Sequence, residues 1–291
     1  QILGEKEIRV KAFHHQAIEK LAPGLKVVGW SNDSVPELIE AYPHRQILGT
    51  QFHPEIFTAA GDALMGKLFK FLVNKADTFK MAKDIHARIL SVDTHTDTPL
   101  WFTRGNFSVG MRKSNQVSIQ KMEEGKLDAQ FLAAFLAQKE RDEVSSQKAV
   151  EKCHKMIEGI YADVAKYKDN CGIALTEEDA LRLKAEGKKA FFIGIENGYA
   201  IGKDIKNVKK YKDMGVQYMT LSHSYDNDIC NSSSNTADAS KGLTPFGRKV
   251  VKEMNKVGMM IDVSHVSEGT FWDVMKLSKD PVFASHSSVR A

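Results

Sequence analysis

The chain has 291 residues, 42% of them hydrophobic and 27% charged, which is the composition of a folded globular protein and excludes a disordered or fibrous one. Its 41 basic and 37 acidic residues leave a net charge of +4, and the excess lies in single lysines scattered among glutamates, so it offers no footprint for nucleic acid or an anionic lipid surface. Such a length accommodates two ordinary domains, or one large barrel with an appendage.

No apolar run approaches the roughly 20 residues that a membrane-spanning helix needs. The opening QILGEKEIRVKAF has neither a methionine nor a charged-then-apolar leader and reads as mid-protein. Localisation is therefore open between the cytoplasm and a periplasmic or secreted compartment. Cys153, Cys171 and Cys230 are odd in number and irregularly spaced, which predicts buried thiols and neither a disulfide framework nor a thiolate metal site.

In chain order, short apolar runs alternate with turns at 25–31, 35–42 and 46–55, predicting strands. Leu64, Leu68, Phe69, Leu72 and Val73 then recur at helical spacing, predicting a helix over 61–73 that closes the first unit. The pattern loosens over 74–78, and the expected division is into domains 1–76 and 77–291. Beyond it a strand-then-helix rhythm predicts a parallel α/β sheet with strands at 89–92, 127–135, 190–195, 217–221, 259–263 and 282–285. Thr176 with Asp179, and Thr244 followed by Pro245, are helix-start signals, and Gly258 is a stop. Six such units suit an incomplete (β/α)8 TIM-type barrel, whose full form has eight.

The residues with metal-binding chemistry all fall at or just past the C-terminal ends of these predicted strands, the catalytic face of such barrels. The first strand runs into His95 and Asp97, two apart in an extended segment and so on one side of it. The third ends on Glu196, the fourth leads to His223, the fifth to His265 and the sixth to His286. Imidazoles mixed with carboxylates suit divalent zinc, and a glutamate can span two ions. A lone histidine is more often a hydrogen-bonded structural residue, and a lone strand-end glutamate is usually solvated. Repetition of one position across five strands is an arrangement that independent accidents would rarely produce.

The segments SVDTHTDTP, GKLDAQFLAAF, FFIGIENG, YMTLSHSYDNDICNSS, GLTPFGRKVVKEMNKVGMMIDVSHVS and PVFASHSSVRA resemble the membrane dipeptidase (renal dipeptidase, peptidase M19) family over about 80–291. The resemblance implies zinc-dependent hydrolysis of dipeptides by a hydroxide held between two Zn2+. It implies His95 and Asp97 on one ion, His265 and His286 on the other, and Glu196 bridging them. His223 would contact substrate and either polarise the scissile carbonyl or stabilise the tetrahedral oxyanion. The oligomeric state is open, a homodimer being one option. The family also has a substrate-binding arginine and a proton-transferring aspartate past the last zinc histidine. Ala291 precedes those positions and Arg290 lies too close to His286 for the arginine's task, so this chain by itself is expected to be a weak or inactive fragment.

Before it, VKAFHHQAIEKLAPGL and ILGTQFHPE resemble the C-terminal half of a class I glutamine-amidotransferase-like domain, nearest to the γ-glutamyl-γ-aminobutyrate hydrolase group. That resemblance implies His53 as general base and Glu55 as its orienting acid, with His14 and His15 on a substrate-side loop. A strand-end histidine that merely caps the next element is the bland alternative. The cysteine nucleophile of that chemistry belongs upstream, whereas all three cysteines lie downstream. Two further readings stay open: cysteine-dependent γ-glutamyl amide hydrolysis as the native activity, and a non-enzymatic metal-binding module.

Overall fold

A computed structural model describes residues 2–41, 47–104, 107–112, 116–234 and 238–287, so Arg290 lies outside the described residues. The chain forms two compact units, Gln1–Ala87 and Arg88–Ala291.

In the first unit, strands β1 (Leu25–Trp30), β2 (Pro36–Ala41) and β3 (Leu48–Thr50) pair antiparallel in that order, at the three places the alternation marks. Pro54 opens the short helix α1 (Pro54–Ala59), where its missing N–H costs nothing. The Asp62 carboxylate accepts from the backbone N–H groups of Leu64 and Met65 at 2.8 and 3.0 Å and so starts helix α2 (Ala63–Arg88). Met65 and Leu68 bury the first turns of α2 against Leu3 and Phe52. The helix expected to stop at residue 73 runs on to Arg88. Residues 74–88 lose apolar periodicity but contain no glycine or proline and are rich in Ala and Lys, and a helix is ended by backbone breakers, not by exposure. Segment 74–78, where the linker is expected, is accordingly helical.

The second unit is a curled parallel sheet, TIM-like in its strand-and-helix repeat. Its strands are β4 (Val92–Asp93), β5 (Ala129–Phe135), β6 (Cys171–Ile173), β7 (Lys189–Glu196), β8 (Val216–Thr220) and β9 (Met260–Asp262). The order is β4-β5-β7-β8-β9, and β6 pairs with the start of β7. Between them run helices α3 (Ile119–Gly125), α4 (Glu143–Ala165), α5 (Glu177–Ala185), α6 (Lys206–Asp213), α7 (Pro245–Val257) and α8 (Glu268–Leu277). Thr176 caps α5 through the N–H of Asp179, Thr244 caps α7 through that of Gly247, and Gly258 closes α7 at φ 69°.

Three strands of this unit differ from the sequence expectation by more than two residues, β6 being one that it does not contain. Strand β6 is only three residues long, too short to show a period. The first strand begins at Val92, because the Ser91 N–H donates to the Asp128 carboxylate at 3.0 Å. Segment 282–285 makes a single parallel bridge, Phe283 with Asp262. There the N–H of Ser285 donates to the Asp262 side chain at 3.1 Å, so the ladder goes no further.

Strand parity sorts the core into two layers. Phe191, Ile193 and Ile195 of β7 face the helices with Leu132, Met219 and Val250. Ala190 and Phe192 face inward with Ala129, Phe131 and Tyr218, where the rings of Phe131 and Phe192 stack at 4.8 Å. Gly194 and Glu196 continue that inward parity, which delivers the carboxylate to the mouth of the curled sheet.

Candidate metal centre

Glu196 is the last residue of β7 and only 2% exposed. Asn197 follows in a left-handed conformation, φ 79°, that costs a non-glycine residue about 1–3 kcal/mol. Its side chain holds that turn by donating to the Leu136 carbonyl and accepting from the Tyr199 N–H. The Glu196 carboxylate thereby points at imidazoles from four other strand tips. Its Oε1 lies 3.0 Å from His265 Nε2, 3.3 Å from His286 Nε2 and 3.5 Å from His223 Nε2. Its Oε2 lies 3.5 Å from His95 Nε2, and Asp97 Oδ1 is also 3.5 Å from that nitrogen. The HxD spacing after β4 thus brings its imidazole and carboxylate together.

Three of the four rings are held from behind. The His95 N–H donates to Asp93 Oδ1 at 3.0 Å, and its Nδ1 meets the Tyr218 hydroxyl at 2.9 Å. His286 Nδ1 meets Ser285 Oγ at 2.7 Å, and His223 Nδ1 meets Ser224 Oγ at 2.8 Å. His265 is in the left-handed region, φ 64°, with its carbonyl accepting from the Ser233 N–H at 2.8 Å. The rings of His95 and His286 stack at 3.8 Å.

Burial works against a charge on Glu196, but His265, His286 and His95 together hold its carboxyl far below the usual carboxylate range. Burial likewise disfavours a charged His95, yet Asp97 and Glu196 outweigh it and raise its pKa to about 9. His223 moves the other way, lowered chiefly by burial.

The residues present fit a metal. His95, Glu196 and His286 form one group of converging ligand atoms, and Glu196, His223 and His265 form a second that shares the glutamate. Among the described residues Glu196 Oε2 is buried without a hydrogen-bond partner, a cost that a cation would remove. The Nε2 atoms of His265 and His286 stand 2.7 Å apart, so these two ligand nitrogens face one place. Sequence reasoning missed Tyr218, Asp262 and Ser285, which stand behind the histidines. Strand parity could have found Tyr218 and Asp262, because both are polar positions on the inward face.

In the first unit, His53 Nδ1 and Glu55 Oε1 lie 2.6 Å apart on an exposed surface, and His14 Nε2 lies 2.8 Å from Glu37 Oε1. All three cysteines are buried and unpaired as expected, and burial raises each thiol to about 12, which leaves none as a ready nucleophile.

A curled parallel sheet that gathers imidazoles and carboxylates at the C-terminal ends of its strands defines a TIM-type protein with a metal centre. The chain belongs to the membrane dipeptidase family (peptidase family M19), whose model matches residues 79–291. A second family model, peptidase C26, matches residues 1–55. Among curated proteins, an uncharacterized dipeptidase of Schizosaccharomyces pombe is 29% identical over 221 residues, 70% of this chain and 52% of that protein. Dipeptidase verJ of Clonostachys rogersoniana is 29% identical over 225 residues, 73% of this chain and 58% of that protein. The chain therefore spans little more than half the length of these relatives. Among solved structures, the probable dipeptidase PvdM from Pseudomonas aeruginosa superposes with a TM-score of 0.66 at 29% identity, covering 73% of this chain and 56% of that one. A metallopeptidase from Rhodobacter sphaeroides, solved with a phosphinate mimic of L-Ala-D-Ala, shares the fold with a TM-score of 0.60 at 20% identity, covering 68% and 65%.

Proposed function

We propose that this chain carries the dinuclear zinc centre of a dipeptidase. His95 and Asp97 would hold one ion and His265 and His286 the other, with Glu196 shared between them. The observation that carries this reading is the buried Glu196 carboxylate, its two oxygens addressed to different imidazoles at 3.0–3.5 Å. Imidazole and carboxylate donors without thiolate suit zinc in a hydrolytic site, and a bridging carboxylate suits a pair of ions. When bound, such a pair supplies a Lewis acid for the scissile carbonyl and a water acidified to near neutral pH.

The protein's own part is to orient. Asp93 and Tyr218 fix His95, Ser285 fixes His286, and the strained turn at Asn197 aims Glu196. His223, walled by the Phe135 ring at 4.7 Å, is left to donate to the oxygen on which charge develops. The substrate is a small dipeptide, the class that both curated relatives are named for.

Zinc analysis of the purified chain, with and without a chelator, tests the reading. Two zinc ions per chain that a chelator removes support it, and any dipeptide turnover should be lost with them. Zinc content no higher than that of a His95→Ala, His265→Ala double variant refutes it.

A second reading rests on the His53–Glu55 pair, which has the geometry of a general base with its orienting acid. It makes cysteine-dependent γ-glutamyl amide hydrolysis the native activity, with the first unit supplying the base and none of the three buried thiols the nucleophile. Sensitivity of the intact enzyme to a thiol alkylating agent, with indifference to a chelator, would favour it over the zinc reading.

A further inference from the structure

We propose that Asp262 is a positioning residue of the metal centre, setting through Ser285 which nitrogen of His286 carries the proton. The inference rests on the zinc reading for its purpose, but not for its geometry.

Asp262 ends β9 on the inward face and is fully buried, and among the described residues its carboxylate hydrogen-bonds none of the candidate ligands. Four donors converge on it. The N–H groups of Ser264 and Ser285 reach Oδ1 at 3.0 and 3.1 Å, and the hydroxyls of Thr220 and Ser285 reach Oδ2 at 2.5 and 2.6 Å. A carboxylate only accepts, so the single hydroxyl proton of Ser285 is committed to Asp262. Ser285 Oγ also lies 2.7 Å from His286 Nδ1 and 3.3 Å from Ser264 Oγ. With its proton spent, it can meet His286 only as an acceptor. The proton of the neutral imidazole is then on Nδ1, and Nε2 keeps its lone pair. Nε2 is the atom that faces Glu196 and His265, where a metal would have to be bound.

Without the carboxylate the logic reverses. In Asp262→Asn the amide nitrogen donates toward the hydroxyls, Ser285 turns its own proton onto His286 Nδ1, and the ring's proton moves to Nε2, where it blocks ligation. Outer carboxylates of this kind hold metal-binding histidines in one tautomer, and losing them costs about 10–100-fold in metal affinity. Thr220 supplies an internal control, because its hydroxyl meets the same Oδ2 without being bonded to His286.

The test uses the full chain with 15N-labelled histidine. Ring-nitrogen shifts are recorded on metal-free protein at alkaline pH, and zinc affinity is measured by competition with a chromophoric chelator. His286 signals are assigned by their loss in His286→Gln. The expected result is the Nδ1–H form in the parent and in Thr220→Val, the Nε2–H form in Asp262→Asn, and zinc affinity about 10–100-fold weaker in Asp262→Asn alone. If Asp262→Asn does not fold, Ser285→Ala removes the relay and leaves the carboxylate in place, and the same fall in affinity is expected. A folded Asp262→Asn or Ser285→Ala with parental tautomer and parental zinc affinity overturns the proposal. A parent that holds His286 as Nδ1–H but binds no zinc refutes the zinc reading and leaves the tautomer assignment standing.

Discussion

Glu196→Gln is the most informative single substitution, because it keeps the shape of the side chain and removes one negative charge from the centre of the site. Unit charges about 4 Å apart at an effective dielectric constant near 20 interact by ~4 kcal/mol. At about 1.4 kcal/mol per tenfold change, that corresponds to nearly three orders of magnitude in affinity for each unit of charge on the ion. The second charge of a divalent ion enlarges the effect, and the carbonyl oxygen that glutamine still offers offsets part of it. Since Oε1 faces His265, His286 and His223 while Oε2 faces His95, both ions should weaken together. A chelator-competition titration of zinc, with thermal unfolding of the metal-free protein as a control for folding, reads the effect. Retention of one zinc at parental affinity would refute the bridging role and make Glu196 a terminal ligand to a single ion.

Replacing His95 or Asp97 by alanine should lower bound zinc and, in the complete protein, abolish dipeptide hydrolysis, and unchanged metal content would count against their assignment. His223→Ala should leave zinc in place and, in the complete protein, slow turnover by roughly 10²–10³, the cost of one oxyanion donor, whereas loss of zinc would make it a ligand. Gly194→Ala probes how the core carries the site. A Cβ there would lie 2.3 Å from the Tyr218 ring, so the ring must move, at a cost of about 1–3 kcal/mol, and its hydroxyl must leave His95 Nδ1. Lower melting temperature together with weaker zinc binding is expected, and parental values of both would show that the ring and His95 are not linked.

Much is legible from local pattern. Strand-and-helix alternation, the caps at Thr176 and Thr244 and the stop at Gly258 are short-range signals, and the structure has them where the residues place them. The candidate metal ligands are also legible, because each follows an apolar strand and strand ends of a parallel sheet share one edge. Segment 282–285 reads in sequence as a full strand, since its apolar run does not reveal that the Ser285 amide is taken by a side chain. Helix α2 looks shorter in sequence than it is, stopping at residue 73, because periodicity reports which face is buried, not where the backbone must stop.

The chain order by itself determined which elements form and which chemical groups stand at their ends, since both depend on residues close in sequence. Only the tertiary structure decided the partnerships among those groups. His95 meets Tyr218 across 123 positions and Thr220 meets Asp262 across 42, distances set by the curl and register of the sheet. The orphaned oxygen of Glu196 and the single proton of Ser285 belong to that same level, because a hydrogen bond is defined by the groups that reach a buried atom and not by those that precede it in the chain.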